Sequence, residues 1–258
     1  MAPPPPPPPP PLDALALAVD PADDVRAEAA ALNALYGDRD AETLVRIAVD
    51  DLFPGRIALV SSFGGESVVL LHILSRVDSS VPVIFLDTGR LFPETLEYRT
   101  QLIDRLGLSD VRTVSPDPAR LSDKDPHRAL WMTNPDLCCA IRKTEPLRRA
   151  LDGFDAWFTG RKRFQNSVRS RLPAFEGDGH RIKVNPLIAW SAADLAGYAA
   201  RYQLPEHPLV AKGYPSIGCI PCTSKVAPGE DVRAGRWRGR DKTECGIHTA
   251  LEADGSGI

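Results

Sequence analysis

Ile57-Ala58-Leu59-Val60, then Ser61-Ser62-Phe63-Gly64-Gly65, then Glu66-Ser67, is the stretch on which the fold turns. Four apolar residues make a buried strand, the small residues make a tight turn, and Glu66 to Ser75 makes the helix after it. The same alternation continues outward. Val81 to Leu86 is a second buried strand, ending at Asp87-Thr88-Gly89, and Pro93 to Leu106 is a helix. Val111 to Val114 is a third strand, and Ala156 to Thr159 a fourth that leads into Gly160. Val184 to Ile188 and a helix from Ser191 to Tyr202 complete the set. Short apolar strands alternating with helices predict an α/β domain, an open and mostly parallel sheet with helices on both faces. No internal repeat and no second domain is expected.

Glycines in the first turn let the backbone approach a ligand, and the N–H groups opening the next helix point at an anion. Ser61, Ser62, Phe63, Gly64, Gly65 and Glu66 are therefore candidates to cradle a phosphate or sulfate. The turn is neither the Gly-x-x-x-x-Gly-Lys-Ser/Thr loop nor Gly-x-Gly-x-x-Gly. Leu86, Asp87, Thr88 and Gly89 end the second strand on the same edge, where open α/β sheets bind ligands. Either turn could instead be an ordinary strand–helix connection whose polar residues cap backbone donors.

Five cysteines carry the chemistry. Cys138 and Cys139 are adjacent, Cys219 and Cys222 form Cys-x-x-Cys, and Cys245 stands apart in Lys242-Thr243-Glu244-Cys245-Gly246-Ile247-His248. An odd count argues against a closed disulfide framework. Cys-x-x-Cys alone suits zinc, an iron–sulfur cluster or a redox dithiol. Structural zinc sites usually space their ligands by two to four residues, whereas a cluster offers separate irons to neighbouring sulfurs, so the adjacent pair favours iron–sulfur. Two buried structural thiols are the plain alternative. Cys245 is the candidate nucleophile, since only a thiolate attacks and cations such as Lys242 lower a thiol pKa, although Glu244 opposes them. His248 could orient substrate or assist proton transfer. Lys143, Arg163, Arg169, Arg233 and Arg236 are candidates to hold oxyanions, while Arg238 and Arg240 read as solubilising groups.

Taken together, these segments resemble the assimilatory adenylyl-sulfate reductases, sulfonucleotide reductases that carry a [4Fe–4S] cluster. The matching stretches are Ser61-Ser62-Phe63-Gly64-Gly65-Glu66, Leu86-Asp87-Thr88-Gly89, Cys138-Cys139-x-x-Arg142-Lys143-x-x-Pro146-Leu147, Gly160-Arg161-x-Arg163-x-Gln165, Cys219-x-x-Cys222, Arg233-x-Gly235-Arg236-Trp237 and Lys242-x-Glu244-Cys245-Gly246-x-His248. They run from about residue 57 to residue 248, in the family's order. The resemblance implies an adenine nucleotide α-hydrolase-like fold with a mobile C-terminal tail. It implies cluster ligation by Cys138, Cys139, Cys219 and Cys222, and substrate contact by the two turns and by Arg163, Arg169, Arg233 and Arg236. Cys245, His248 and Lys143 are implied as catalytic. The implied reaction reduces adenylyl sulfate to sulfite and AMP through a Cys245 thiosulfonate, with thioredoxin or a similar dithiol protein as reductant. One departure is the turn itself, where relatives tend to show Ala, Glu and Asp after the first glycine and this chain has Gly65-Glu66-Ser67. A reductase for the 3′-phosphorylated nucleotide, an ATP-using adenylating enzyme on the same fold and a cluster-based redox sensor are the rival readings.

With 258 residues, 43% of them hydrophobic, the chain supports one sizeable core. The expected organisation is a disordered polyproline leader over 1–11, a single α/β nucleotide-binding and cluster domain over 12–230 and a catalytic tail over 231–258, with one or two helices between Leu12 and Tyr36. A net charge of −3 argues against general nucleic-acid binding. The absence of an apolar run of about 18 residues argues against a membrane span. No secretory signal is visible, and free cysteines fit a reducing cytoplasm. The oligomeric state, homo-oligomer included, is left open.

Overall fold

The computed structural model describes residues 21–248 apart from 166 and 243. The proline leader, the start of the first predicted helical stretch and the extreme C-terminus from 249 onward lie outside the described residues.

In chain order the elements are α1 (Pro21–Tyr36), α2 (Ala41–Ile47), β1 (Ile57–Ser61), α3 (Ser67–Asp78), β2 (Val83–Leu86), α4 (Pro93–Leu106) and β3 (Val111–Val114). Then follow α5 (Pro118–Lys124), α6 (Leu130–Thr133), α7 (Pro135–Cys139), α8 (Glu145–Ala150), β4 (Ala156–Phe158), β5 (Phe175–Asp178), β6 (Arg181–Val184) and α9 (Ala192–Arg201). The six strands form one sheet in the order β3-β2-β1-β4-β6-β5. All neighbours are parallel except β5 and β6, which are antiparallel. This is the predicted open, mostly parallel sheet.

Strand alternation sorts the core into two layers. Ile57, Leu59, Val83, Phe85 and Phe158 face a large cluster with α2, α3, α4 and α9. Ala58, Ile84, Leu86 and Trp157 face the other way, against Leu147 and Leu151 around α8. Helix ends are locally encoded. Pro93 opens α4 and Gly107 closes it at φ 62°, a left-handed cap that glycine adopts without strain. Ser191 and Asp194 form a reciprocal capping box on α9.

The predicted strand over Val184–Ile188 is corrected. β6 ends at Val184, and Leu187 and Ile188 pack into the core beyond it. The edge of the sheet is instead the β5–β6 hairpin, turned at Asp178-Gly179-His180-Arg181 with Gly179 at φ 63°. Of the tail expected over 231–258, the described residues reach 248, and Trp237 and Cys245 among them are buried against the domain.

Candidate active site

The first turn fulfils its local prediction. Ser67 donates to the Gly64 carbonyl through both its N–H (3.0 Å) and its hydroxyl (2.6 Å), which starts α3. Phe63 carries φ 48°, a backbone conformation that costs a bulky residue energy. It is held there by full burial, an edge-to-face contact with Phe85 and a hydrogen bond from its N–H to Ser61 Oγ (3.2 Å). The aromatic ring points into the core while Ser61, Ser62, Gly64 and Gly65 face outward.

Those four residues line a cavity of about 230 Å³ beyond the carboxyl ends of β1, β2 and β4. Leu86, Thr88, Thr159 and Gly160 complete its floor, and Arg233, Arg236, Trp237, Glu244, Cys245 and His248 close it from the tail side. Six cationic side chains line it among the described residues, namely Lys143, Arg161, Lys162, Arg169, Arg233 and Arg236, against the carboxylates of Glu66 and Glu244. Such an excess of cations suits a multiply charged oxyanion. Among the described residues, Arg236 Nε, Trp237 Nε1 and His248 Nδ1 are buried there without a hydrogen-bond partner. Unsatisfied buried polar atoms on a cavity wall point to a polar ligand.

Lys143 reaches the cavity because the helical run from α7 to α8 passes through a π-helical turn, Ala140–Thr144. Asn134 caps that run (Leu137 N–H to Oδ1, 3.0 Å), with Pro135 in its first turn. Such turns recur at functional sites. Arg142, one residue earlier, is buried, donating to Asp125 (2.7 Å) and to the Thr88 carbonyl (3.0 Å). It thereby ties the cysteine helix to the end of β2.

Cys245 sits on the cavity wall and is 8% exposed. Its thiol pKa lies well below the ordinary value. A hydrogen bond from Cys139 is the largest cause; burial opposes it, and Lys143 and Arg236 add positive charge. Burial works to lower the Lys143 pKa, but the negative charge of Cys245, Cys219 and Cys139 raises it overall. His248 is held neutral by desolvation and by the cations Arg169, Arg161, Lys183 and Arg233 around it. A neutral imidazole can accept a proton or orient a polar group.

The four remaining cysteines come together from two segments. Cys138 and Cys139 end α7, and Cys219 and Cys222 bracket a 3₁₀ turn, Ile220–Cys222, whose Cys222 N–H bonds the Cys219 carbonyl (3.0 Å). That turn pairs with Leu91, and Thr88 Oγ1 lies 3.2 Å from Cys219 Sγ. Burial raises the Cys138 and Cys222 thiols, and Cys219 adds to the rise in both. Among the described residues, no group of three or more His, Cys, Asp or Glu side chains closes tightly enough to hold a single metal ion. The donor set does fit a thiolate-ligated cluster. It is all thiol, largely buried, and flanked by Arg90 and Arg142, whose charge acts on Cys138 and whose Nε atoms lack hydrogen-bond partners.

Several predicted contacts lie elsewhere. Arg163 does not line the cavity; it is exposed and donates to the Leu172 carbonyl (2.9 Å). It opens a three-residue 3₁₀ turn, and the residues before it, Arg161 and Lys162, are the ones that face inward. Phe63, Asp87 and Gly89 are likewise outside the lining. Arg240 is more than a solubilising group, since it donates to the Trp131 carbonyl and stacks over that ring. Lys242 pairs with Asp136, and together these contacts pin the tail to α6 and α7.

Arg161, Lys162, Gln165 and Glu244 also line the cavity and were not among the predicted contacts. Gln165 Nε2 and Lys162 Nζ both donate to Glu66 Oε2 (2.7 and 2.6 Å), Gln165 Oε1 accepts from Arg169, and Arg169 pairs with Glu244. A continuous polar chain thus runs from the first turn to the neighbour of Cys245. Its sequence signal was the Gly160-Arg161-x-Arg163-x-Gln165 segment, in which Arg161 rather than Arg163 lines the cavity.

Comparison with known proteins comes down on one family. Residues 56–225 match the phosphoadenosine phosphosulfate reductase domain. Adenosine 5′-phosphosulfate reductase from Mesorhizobium japonicum is 52% identical over 89% of this chain and 90% of that protein. The protein of the same name from Chelativorans is 54% identical over 89% of this chain and 95% of its own length. Among solved structures, phosphoadenylyl-sulfate reductase from Candida auris, in a phosphate complex, superposes with a TM-score of 0.66 at 28% identity, over 78% of this chain and 97% of that one.

Proposed function

The chain belongs to the phosphoadenosine phosphosulfate reductase domain family, among relatives named adenosine 5′-phosphosulfate reductase, and we propose that it reduces adenylyl sulfate to sulfite and AMP. The observation that carries this reading is Cys245, buried on the wall of a cavity that Lys143, Arg169, Arg233 and Arg236 also line, at the carboxyl edge of the sheet.

In this reading Ser61, Ser62, Gly64 and Gly65 receive the nucleotide, with Leu86 and Thr88 beside its adenosine. Lys143, Arg169, Arg233 and Arg236 face the phosphosulfate. The Cys245 thiolate attacks the sulfur, the S–O bond to phosphate breaks, and AMP leaves with the bonding pair, giving a thiosulfonate on Cys245. The cations offset charge on the departing phosphate. A thioredoxin-type dithiol then attacks Cys245 Sγ, sulfite departs with the S–S pair, and the second thiol of the reductant releases Cys245 and becomes the oxidised disulfide. The two electrons come from the dithiol.

Cys138, Cys139, Cys219 and Cys222 would hold a [4Fe–4S] cluster, which supplies a fixed charge and a brace beside Lys143. Lys143 then faces the cavity from the helical run that bears two of those ligands.

A sulfite-release assay tests the reading. Wild type turns over with adenylyl sulfate and a thioredoxin, and Cys245→Ser does not; appreciable turnover by the variant overturns the mechanism. Faster turnover on the 3′-phosphorylated nucleotide would reassign the substrate. Anaerobic purification should give about four irons and four sulfides per chain, whereas colourless protein with one zinc would remove the cluster.

A further inference from the structure

Glu244 occupies the guanidinium fork of Arg169. Its carboxylate takes both arms of the Arg169 guanidinium (Nε to Oε1 2.6 Å, Nη2 to Oε2 2.7 Å) and lies 3.5 Å from Arg233 Nη2. The Arg169 side chain is 7% exposed and that of Glu244 14%. All three line the cavity, and Glu244 is joined by one peptide bond to Cys245. Each edge of a planar guanidinium donates to one bidentate oxyanion at a time, and Glu244 takes the Nε/Nη2 edge of Arg169.

Resting on the adenylyl-sulfate reading, we propose that Glu244 is a resident anion that holds the empty site together and is displaced from Arg169 by the sulfo group of the substrate. The sulfo group, rather than the phosphate, is the competitor because the sulfur must come to Cys245, the residue beside Glu244. Displacement frees the segment bearing Cys245 from its buried anchor just when the reacting sulfur arrives. Binding and presentation of the nucleophile thus share one arginine. Gln165 places that arginine, since its amide oxygen accepts from Arg169 while its nitrogen donates to Glu66 in the first turn.

The experiment uses full-length Cys245→Ser, which binds without turnover, and the same protein carrying Glu244→Gln. Adenylyl sulfate and AMP are titrated calorimetrically into both. A resident competitor predicts that Glu244→Gln tightens adenylyl sulfate by about tenfold, near 1.4 kcal/mol, and leaves AMP within about twofold. In the Cys245 background, Glu244→Gln should also lower KM without raising kcat, and should speed alkylation of Cys245 in the absence of substrate. A simple packing role would weaken both ligands together. Unchanged or weaker adenylyl-sulfate binding by Glu244→Gln overturns the proposal. If the parent protein binds no adenylyl sulfate, the functional reading itself fails and takes the proposal with it. Should Glu244→Gln not fold, by circular dichroism, Glu244→Asp carries the test: its shorter carboxylate loosens the same fork, so tighter binding supports the proposal and unchanged or weaker binding overturns it.

Discussion

Replacing Gly218 by alanine should disable the site while sparing the fold. A Cβ at position 218 would lie 2.6 Å from Cζ and 3.0 Å from Nη1 of Arg236, and closer still to Nη2. Normal carbon contact is about 3.5–4.0 Å, so the guanidinium must retreat by roughly 1 Å. It is the far end of a flexible side chain, so the retreat is cheap for the protein and the melting temperature should fall by no more than about 3 °C. The cavity loses more. Arg236 donates to the Ile217 carbonyl (3.2 Å) and sits 4.5 Å above the Trp237 ring, and those two contacts aim it. A charged donor aimed at a reacting oxyanion is worth about 2.7–4 kcal/mol, and a misplacement of about 1 Å can forfeit some 10²-fold in rate. The prediction is a fall of about 10² in kcat/KM for sulfite release, with unchanged metal content. Arg236→Ala should show a similar loss, and the double variant should lose no more than Arg236→Ala alone, because both changes act through one side chain. Activity of Gly218→Ala within threefold of wild type, or losses that multiply in the double variant, would refute the reasoning.

Three further outcomes follow from other parts of the structure. Asp125→Ala leaves the buried Arg142 without its 2.7 Å partner, so stability should drop by about 3–5 kcal/mol and the melting temperature by roughly 10 °C; a shift under about 2 °C would contradict this. His207 is fully buried, and its burial pushes the imidazole pKa down to about 4. The unfolded chain takes up that proton from about pH 6.5, so His207's contribution is complete above 6.5 and is lost as pH falls toward 4. The drop is about 2 kcal/mol from pH 7 to pH 5, and His207→Asn, which retains an acceptor for the Leu209 N–H, should flatten that dependence. Asp136 is 68% exposed, so its pair with Lys242 is worth at most about 1 kcal/mol; Asp136→Asn should speed Cys245 alkylation by no more than about fivefold, and a rise beyond tenfold would show that this pair is the main clamp.

The legible parts of this fold are those whose cause is local. The first strand and turn could be read because apolar run, small residues and helix start are contiguous, and Pro93–Leu106 was bounded correctly because Pro93 and Gly107 mark its ends. The β5–β6 hairpin was missed although Asp178-Gly179 is a turn signal. Its strands carry Glu176, Asp178 and Lys183, which look exposed in sequence but are neutralised within the fold: Lys183 lies 3.3 Å from Asp178, and Glu176 accepts from Arg161. Arg163 lies outside the cavity lining for a geometric reason. Near a 3₁₀ turn each residue advances by about a third of a revolution, so pattern alone does not say which of Arg161, Lys162 and Arg163 faces inward.

Glu244 shows why the rest of the site was opaque. Beside Cys245 in the sequence it looks like a charge that works against a thiolate. Its partner Arg169 lies 75 residues upstream, and once that pair forms, the carboxylate no longer simply opposes the nucleophile but fixes where it sits. The same holds for the cysteines. Their identities were plain, but Cys245 meets Cys139 and Lys143 only because the tail folds back across the helix that carries them. Around the buried Trp237 and Cys245, the polar part of that fold-back is made of dispersed single contacts, Arg240 on Trp131, Lys242 on Asp136 and Glu244 on Arg169, none of which leaves a periodic trace. A segment held by separate polar pairs can be released one pair at a time, whereas one held by a continuous apolar face must come away whole. The proposed chemistry needs the first arrangement, since Cys245 must be enclosed with the substrate and then exposed to a protein dithiol.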